Sequence, residues 1–181
     1  MNIFVSGGCK NGKSMYAQKL AFEEAKNGGL PLYYVATMIP YDGEDDARIK
    51  RHREERAGWG FETVEQATSI CDFLKNENID RNGVFLLDSV TALLSNEMFA
   101  AENPDLGVGI RVAKELCEFA TLTGNTIFVS DFIHGEMSMY DDITENYRKA
   151  LADIGIKLAQ VCDCVVEYSY GIPLYYKKGE K

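Results

Sequence analysis

Gly7-Gly8-Cys9-Lys10-Asn11-Gly12-Lys13-Ser14 fits the pattern G-x-x-x-x-G-K-[ST], a spacing whose chemistry is the grip of a nucleoside triphosphate. Gly7 and Gly12 leave space for the N–H groups of Gly8, Cys9, Lys10 and Asn11 to turn inward around phosphates, and a helix start beyond them adds a positive dipole end. Lys13 is suited to reach the β- and γ-phosphates as a point charge, and the Ser14 hydroxyl to ligate Mg²⁺. The competing reading is a glycine-rich turn without a ligand. Against it stand an apolar, β-prone run at residues 2–6 and an amphipathic stretch at 15–26, which supply the strand-loop-helix setting of a phosphate site.

Two further groups could do chemistry. Val84-Phe85-Leu86-Leu87-Asp88 is a bulky apolar run ending in an acid, the Walker B pattern, which makes Asp88 a Mg²⁺ partner, directly or at one remove. An aspartate after a strand can also be a simple helix cap, and Asp88-Ser89 fits that as well. Residues 45–56 form the one concentrated basic stretch in an acidic chain. As a helix, it brings Arg48, His52 and Arg56 onto one face, with Ile49 anchoring it on the core. The surrounding cations disfavour an imidazolium, so His52 is expected neutral and available as a nitrogen nucleophile toward phosphorus. A solvated helix laced with Glu–Arg pairs, in which His52 is an ordinary surface residue, is the alternative.

The elements that must position these groups alternate. Strands are predicted at 2–6, 31–36, 61–65, 83–87 and 125–130, and helices at 14–27, 43–56, 66–77, 89–101, 108–122 and 143–161. Residues 163–170 and 174–178 flank Gly171-Ile172-Pro173 as an antiparallel hairpin. Such alternation implies an α/β fold: a P-loop NTPase, RecA-like, with a mostly parallel sheet flanked by helices and the hairpin appended at the carboxyl end. One domain, 1–181, is expected. The loops 37–43 and 131–142 follow strands and are candidate walls of the site.

Composition narrows the partners. A formal charge of -9 and a pI near 4.8 argue against a nucleic acid and favour a small-molecule substrate. The chain runs straight into its first strand and holds no apolar run of spanning length, so a cytoplasmic protein without a membrane span is expected. Cys9, Cys71, Cys117, Cys162 and Cys164 are an odd set, and Cys162-x-Cys164 is one residue short of the common metal or redox spacing. Reduced, mostly buried thiols are expected.

Taken together, these residues resemble the adenosylcobinamide kinase / adenosylcobinamide-phosphate guanylyltransferase family of cobalamin biosynthesis. The likeness runs through Gly7 to Ser14, Ala36-Thr37, Asp42 and Glu44, and then Arg48, Ile49, His52 and Arg53, the most diagnostic piece. It continues through Phe61, Thr63 and Glu65, Leu86-Leu87-Asp88-Ser89 with Asn96, and Gly171-Ile172-Pro173-Leu174. The resemblance implies two reactions. A triphosphate at Gly7 to Ser14 gives its γ-phosphoryl group to the aminopropanol hydroxyl of adenosylcobinamide, with Lys13 and Mg²⁺ stabilising the charge. His52, matching the histidine that carries a guanylyl group in the family, then attacks the α-phosphorus of GTP and passes GMP to adenosylcobinamide phosphate. Arg48, Arg51 and Arg53 are candidates for holding the triphosphate. A corrinoid substrate and a homo-oligomer, a trimer, are also implied. No base-reading motif is visible, so ATP and GTP both stand as phosphoryl donors.

The chain departs from the family pattern in two places. After Ser130 it reads Asp131-Phe132-Ile133-His134 where the family has Asn-Glu-Val-Gly. In the last long helix Arg148 is kept, while Lys149, Gly155 and Ile156 replace the expected residues. Both places bear on the kinase half and on corrinoid contacts. His134 is read either as a compensating acid-base group or as an exposed loop residue. Tyr140, Tyr168, Tyr170, Tyr175 and Tyr176 are read as a face for a flat ring or as sheet packing or subunit contact. A divergent kinase of another corrinoid or alcohol, lacking guanylyl transfer, remains an alternative, as does a nucleotide-binding regulatory or assembly protein.

Overall fold

Seven strands form one sheet in a computed structural model that describes residues 1–40, 50, 53, 54, 56–133, 135 and 139–179. In chain order the elements are β1 (Ile3–Gly7), α1 (Lys13–Gly28), β2 (Leu32–Ala36), β3 (Glu62–Glu65), a 3-10 turn (Asp72–Lys75), β4 (Val84–Asp88) and α2 (Val90–Met98). They continue with α3 (Val108–Thr123), β5 (Thr126–Asp131), α4 (Asp142–Val161), β6 (Cys164–Ser169) and β7 (Ile172–Lys177). The strand order is β3-β2-β4-β5-β1-β6-β7, parallel throughout except for the β6–β7 pair. β5 therefore lies between the strand that leads into the phosphate-loop motif and the strand that ends in Asp88.

The central strands are apolar at nearly every position because both faces are covered, as parallel sheets require. Ile3, Val5, Val84, Leu86, Ile127 and Val129 pack toward α1, whose Ala17, Ala21 and Ala25 recur every four residues and let the helix lie close on the sheet. Their neighbours Phe4, Phe85, Leu87 and Phe128 face the other way, into a core with Leu93 and Leu94 of α2, Leu116 and Phe119 of α3, and Leu151, Ile154 and Leu158 of α4. Phe119 meets Phe85 and Phe128 edge-on, at 5.6 and 6.3 Å between ring centres. At the carboxyl end Tyr170 (φ 51°) and Gly171 (φ 79°) make a two-residue turn with both residues left-handed, the geometry that closes a twisted hairpin.

Three expectations from sequence are corrected. Residues 66–77 are not a helix but a loop with one 3-10 turn, because α2 takes their backbone groups: Asn96 donates to the Ala67 carbonyl, and Ser69 N–H donates to Glu97. Tertiary contacts to α2 outweigh a weak local helix preference. The helix predicted at 89–101 ends at Met98, where the Phe99 N–H closes on the Ser95 carbonyl. The thiols are all free, but only Cys162 and Cys164 are buried, with Cys9 exposed in the loop and Cys71 and Cys117 half-buried. Burial pushes Cys71 up to about 11 and Cys162 up to about 12. Of the helix expected at 43–56, Lys50, Arg53 and Glu54 are helical, and the rest lies outside the described residues except Arg56, in a turn. No helix among the described residues is long and apolar enough to cross a membrane.

Candidate functional site

The carboxyl ends of β1, β5, β4 and β2 bring the chemistry-bearing residues together. Gly7 closes β1, and a Cβ there would run into the Tyr168 carbonyl and Asn11 Nδ2, so a larger residue would displace the loop. Asn11 holds the turn from inside, its amide donating to the Tyr168 carbonyl while its oxygen accepts from the Lys13 N–H at 3.1 Å. Lys10 (φ 54°) and Gly12 (φ 92°) are left-handed, which reverses the chain sharply enough to start α1 at Lys13. Gly8, Cys9 and Lys10 are exposed at the tip, and Ser14 is half-buried in the first turn of α1. Tyr168 stacks on Tyr16 at 4.8 Å, and Tyr16 in turn shares a hydrogen bond of 2.8 Å with Tyr175. Tyr168 thus braces the loop from behind by packing on α1, with Tyr175 bonded to Tyr16 at its hydroxyl, while Tyr170, Tyr175 and Tyr176 are exposed.

The Lys13 ammonium is almost fully buried, which for a charge demands a partner. It donates to the Gly8 carbonyl at 3.1 Å and to Asp131 Oδ1 at 2.5 Å. Asp131 ends β5 in register with Gly7, and its N–H donates to Thr91 Oγ1 at 2.9 Å. Tyr147 of α4 donates to the Thr91 carbonyl at 2.8 Å, and its phenol is pushed up, first by burial and then by Asp131. The phenol therefore stays a neutral donor.

Asp88 ends β4 two strand positions from Gly7, about 10 Å away across β5. Its carboxylate accepts the Tyr34 hydroxyl at 3.0 Å and does not cap α2; Ser89 does, its hydroxyl accepting from the Ala92 N–H at 3.2 Å. The helix-cap reading of Asp88-Ser89 thus belongs to Ser89, and the Asp88 carboxylate is left to Tyr34 and the cleft. Thr37 Oγ1 accepts from the Ser89 N–H at 2.7 Å and lies 2.8 Å from the Ser89 carbonyl, while buried Asn96 donates to the carbonyls of Thr37 and Ala67 at 2.6 and 2.9 Å. Thr37 and Asn96 therefore lock the ends of β2 and β3 onto α2.

A cleft of about 600 Å³ runs along these strand ends, from Asp131 and Thr91 past Asp88 to Arg53 and Arg56. Arg56 is nine-tenths buried, its guanidinium 3.5 Å from the centre of the Tyr34 ring, whose hydroxyl reaches Asp88. Arg53 is exposed and bonds Glu65 on β3 at 2.7 Å. Arg48, Arg51, His52 and His134 lie outside the described residues. The sequence left Tyr34 and Thr91 out of the expected site, and named Arg56 on the basic face and Asp131 in a candidate wall without giving either a role. Asp131 carried the same signal as Asp88, an acid closing an apolar strand; Tyr34 and Thr91 carried none.

Could these residues hold a divalent cation? Among the described residues no cluster of three or more His, Cys, Asp or Glu could hold a metal unaided. The half-buried Ser14 hydroxyl, at the start of α1, and the half-buried Asp88 carboxylate, at the end of β4, are oxygen donors of the type a Mg²⁺ takes when its other oxygens come from phosphates and water.

A sheet of this order with its loop and buried lysine defines a RecA-like P-loop nucleotide-binding fold. The ATPase domain of G40P aligns over 98% of this chain and 76% of that chain at 13% identity and a TM-score of 0.56. A KaiC-like protein, PH0186, from Pyrococcus horikoshii OT3 aligns over 99% and 79% at 16% identity and a TM-score of 0.52. Within that fold, the chain belongs to the cobinamide kinase / cobinamide phosphate guanyltransferase family, whose model matches residues 3–176. It is 29% identical over 178 residues, 98% of each chain, to the bifunctional adenosylcobalamin biosynthesis protein CobP of Pseudomonas aeruginosa. It is 35% identical over 99 residues, 55% of this chain and 51% of the other, to the bifunctional adenosylcobalamin biosynthesis protein CobU of Escherichia coli.

Proposed function

We propose that this protein catalyses both reactions of its family on a corrinoid substrate. In the first, the cobinamide hydroxyl oxygen attacks the γ-phosphorus of a triphosphate held by the loop from Gly7 to Ser14. The bond to the β-phosphate oxygen breaks, the hydroxyl proton leaves, and a nucleoside diphosphate is released. Lys13 supplies the positive charge, and the loop N–H groups orient the phosphates. Ser14 and Asp88 would hold a Mg²⁺ ion, which when bound neutralises charge on the phosphate oxygens. In the second reaction a ring nitrogen of His52 attacks the α-phosphorus of GTP, pyrophosphate leaves, and a phosphate oxygen of cobinamide phosphate then displaces the histidine. Arg48, Arg51 and Arg53 would hold the triphosphate during that step.

The observation that carries the proposal is the family match over residues 3–176 to a chain whose cleft is bordered by Arg53 and by Asp131, the partner of the phosphate-loop Lys13. Incubation with α-labelled GTP tests it: the wild type acquires an acid-labile, base-stable label, and His52→Ala acquires none. A wild type that binds GTP without becoming labelled would refute the transferase half. The altered segment from Asp131 favours a second reading, a kinase for a different alcohol without guanylyl transfer. Phosphorylation of adenosylcobinamide together with the histidine label removes that reading.

A further inference from the structure

We infer that Asp131 is a catalytic residue of the phosphoryl-transfer step: the base that orients the acceptor hydroxyl and takes its proton. The inference rests on the kinase half of the function proposed above. Three carboxylates line the cleft among its described residues, and their surroundings separate them. Glu65 sits on the rim, 73% exposed and bonded to Arg53. Asp88 accepts the Tyr34 hydroxyl and stands two strands from the phosphate loop. Asp131 lies on the strand directly beside the loop, in register with Gly7, and contacts Lys13 at 2.5 Å while also facing the cleft.

That position is where a kinase base is needed. A γ-phosphate oxygen that accepts from Lys13 Nζ lies within about two hydrogen-bond lengths of Asp131, so a hydroxyl bonded to the carboxylate can approach the phosphorus from the cleft side. The carboxylate is held for the task. Its backbone N–H is fixed to Thr91 Oγ1, Thr91 is fixed in turn by Tyr147, and Lys13 pins one oxygen. In the step itself, the O–H proton passes to the Asp131 carboxylate as the new O–P bond forms and the bond from phosphorus to the β-phosphate oxygen breaks. The proton then returns to water.

The competing role is a counter-ion that only neutralises Lys13 until phosphates arrive. Asp131→Asn, isosteric and still able to bond Lys13 or the hydroxyl, separates the two. A base predicts that kcat for adenosylcobinamide phosphorylation falls by about 10²- to 10⁴-fold with the KM for nucleotide little changed, and that Asp131→Glu recovers part of the loss. A counter-ion predicts tighter nucleotide binding and a kcat within a few-fold of wild type, which would overturn the assignment. Nucleotide binding by the variant, followed by its thermal shift with Mg²⁺ and a non-hydrolysable triphosphate, establishes that it folds. Slow triphosphate hydrolysis, in which water replaces the alcohol, gives an arm independent of the corrinoid. If wild type hydrolyses the triphosphate yet phosphorylates no cobinamide, the proposed substrate fails, while loss of hydrolysis in Asp131→Asn still supports the base and its retention overturns it.

Discussion

The phosphate loop and the arginine end of the cleft are built on opposite principles. At the phosphate-loop end, backbone does the positioning: left-handed turns at Lys10 and Gly12, a glycine at Gly7 backed by the Tyr168 carbonyl, and a lysine buried against Asp131. At the arginine end, side chains do it. Arg53 reaches an exposed Glu65, and Arg56 lies across the Tyr34 ring. A backbone cradle resists change because moving it disturbs the sheet beneath. A surface ion pair can be exchanged for a ligand at little cost, since exposed pairs contribute only about 0–1 kcal/mol. The difference is that the phosphate-loop end is held by the sheet and its own backbone, whereas Arg53 can leave Glu65 at little energetic cost.

Three substitutions test that contrast. The largest effect is expected from Lys13→Ala, which removes the charge on which the loop is centred and strands Asp131 beside it. Phosphoryl transfer measured by kcat/KM falls by about 10²- to 10³-fold, and a smaller loss would mean that the backbone N–H groups alone carry the electrostatics. Gly7→Ala comes next. Its methyl group meets the Tyr168 carbonyl and Asn11, so the fold loses about 1–3 kcal/mol through overpacking. The melting temperature then drops by roughly 2–12 °C for a chain of this size. An unchanged melting temperature would show that the loop yields, and the contrast between the ends would lose its basis. Arg53→Ala should be nearly silent for stability, within about 1 kcal/mol in a denaturant titration. It should nevertheless raise the KM for GTP by about tenfold or more if the guanidinium holds the triphosphate through a charge-assisted bond. A melting shift as large as that of Gly7→Ala would make Arg53 structural.

Much of the phosphate end was legible in the residues alone. The motif from Gly7 to Ser14, the apolar run into Asp88 and the alternation of strands and helices each carry a local physical signature, and the strands fall within a residue or so of expectation. The hairpin was readable from Gly171, but its turn was read as Gly171-Ile172-Pro173, whereas Tyr170 and Gly171 make it and Ile172 and Pro173 already pair in β7. The failures came where distant residues outvote local preference. Residues 66–77 read as a helix, yet Asn96 and Glu97 claim backbone groups there. Asp88 read as either a metal partner or a helix cap, and the structure gives the cap to Ser89 while Tyr34, from a distant strand, bonds the Asp88 carboxylate.

The sequence by itself determined that a triphosphate loop opens an α/β chain and that the chain carries the residue pattern of its family, because those properties depend on residue types at short, fixed separations. Only the tertiary structure decided that Asp131, 118 residues from Lys13, is its partner, that Arg56 lies buried on Tyr34, and that Tyr168 of the hairpin stands behind the phosphate loop. Each of these depends on strand order. β5 lies between β1 and β4, and β6 lies on the other side of β1, an arrangement set by how both faces of the sheet bury their apolar residues and by no local pattern along the chain.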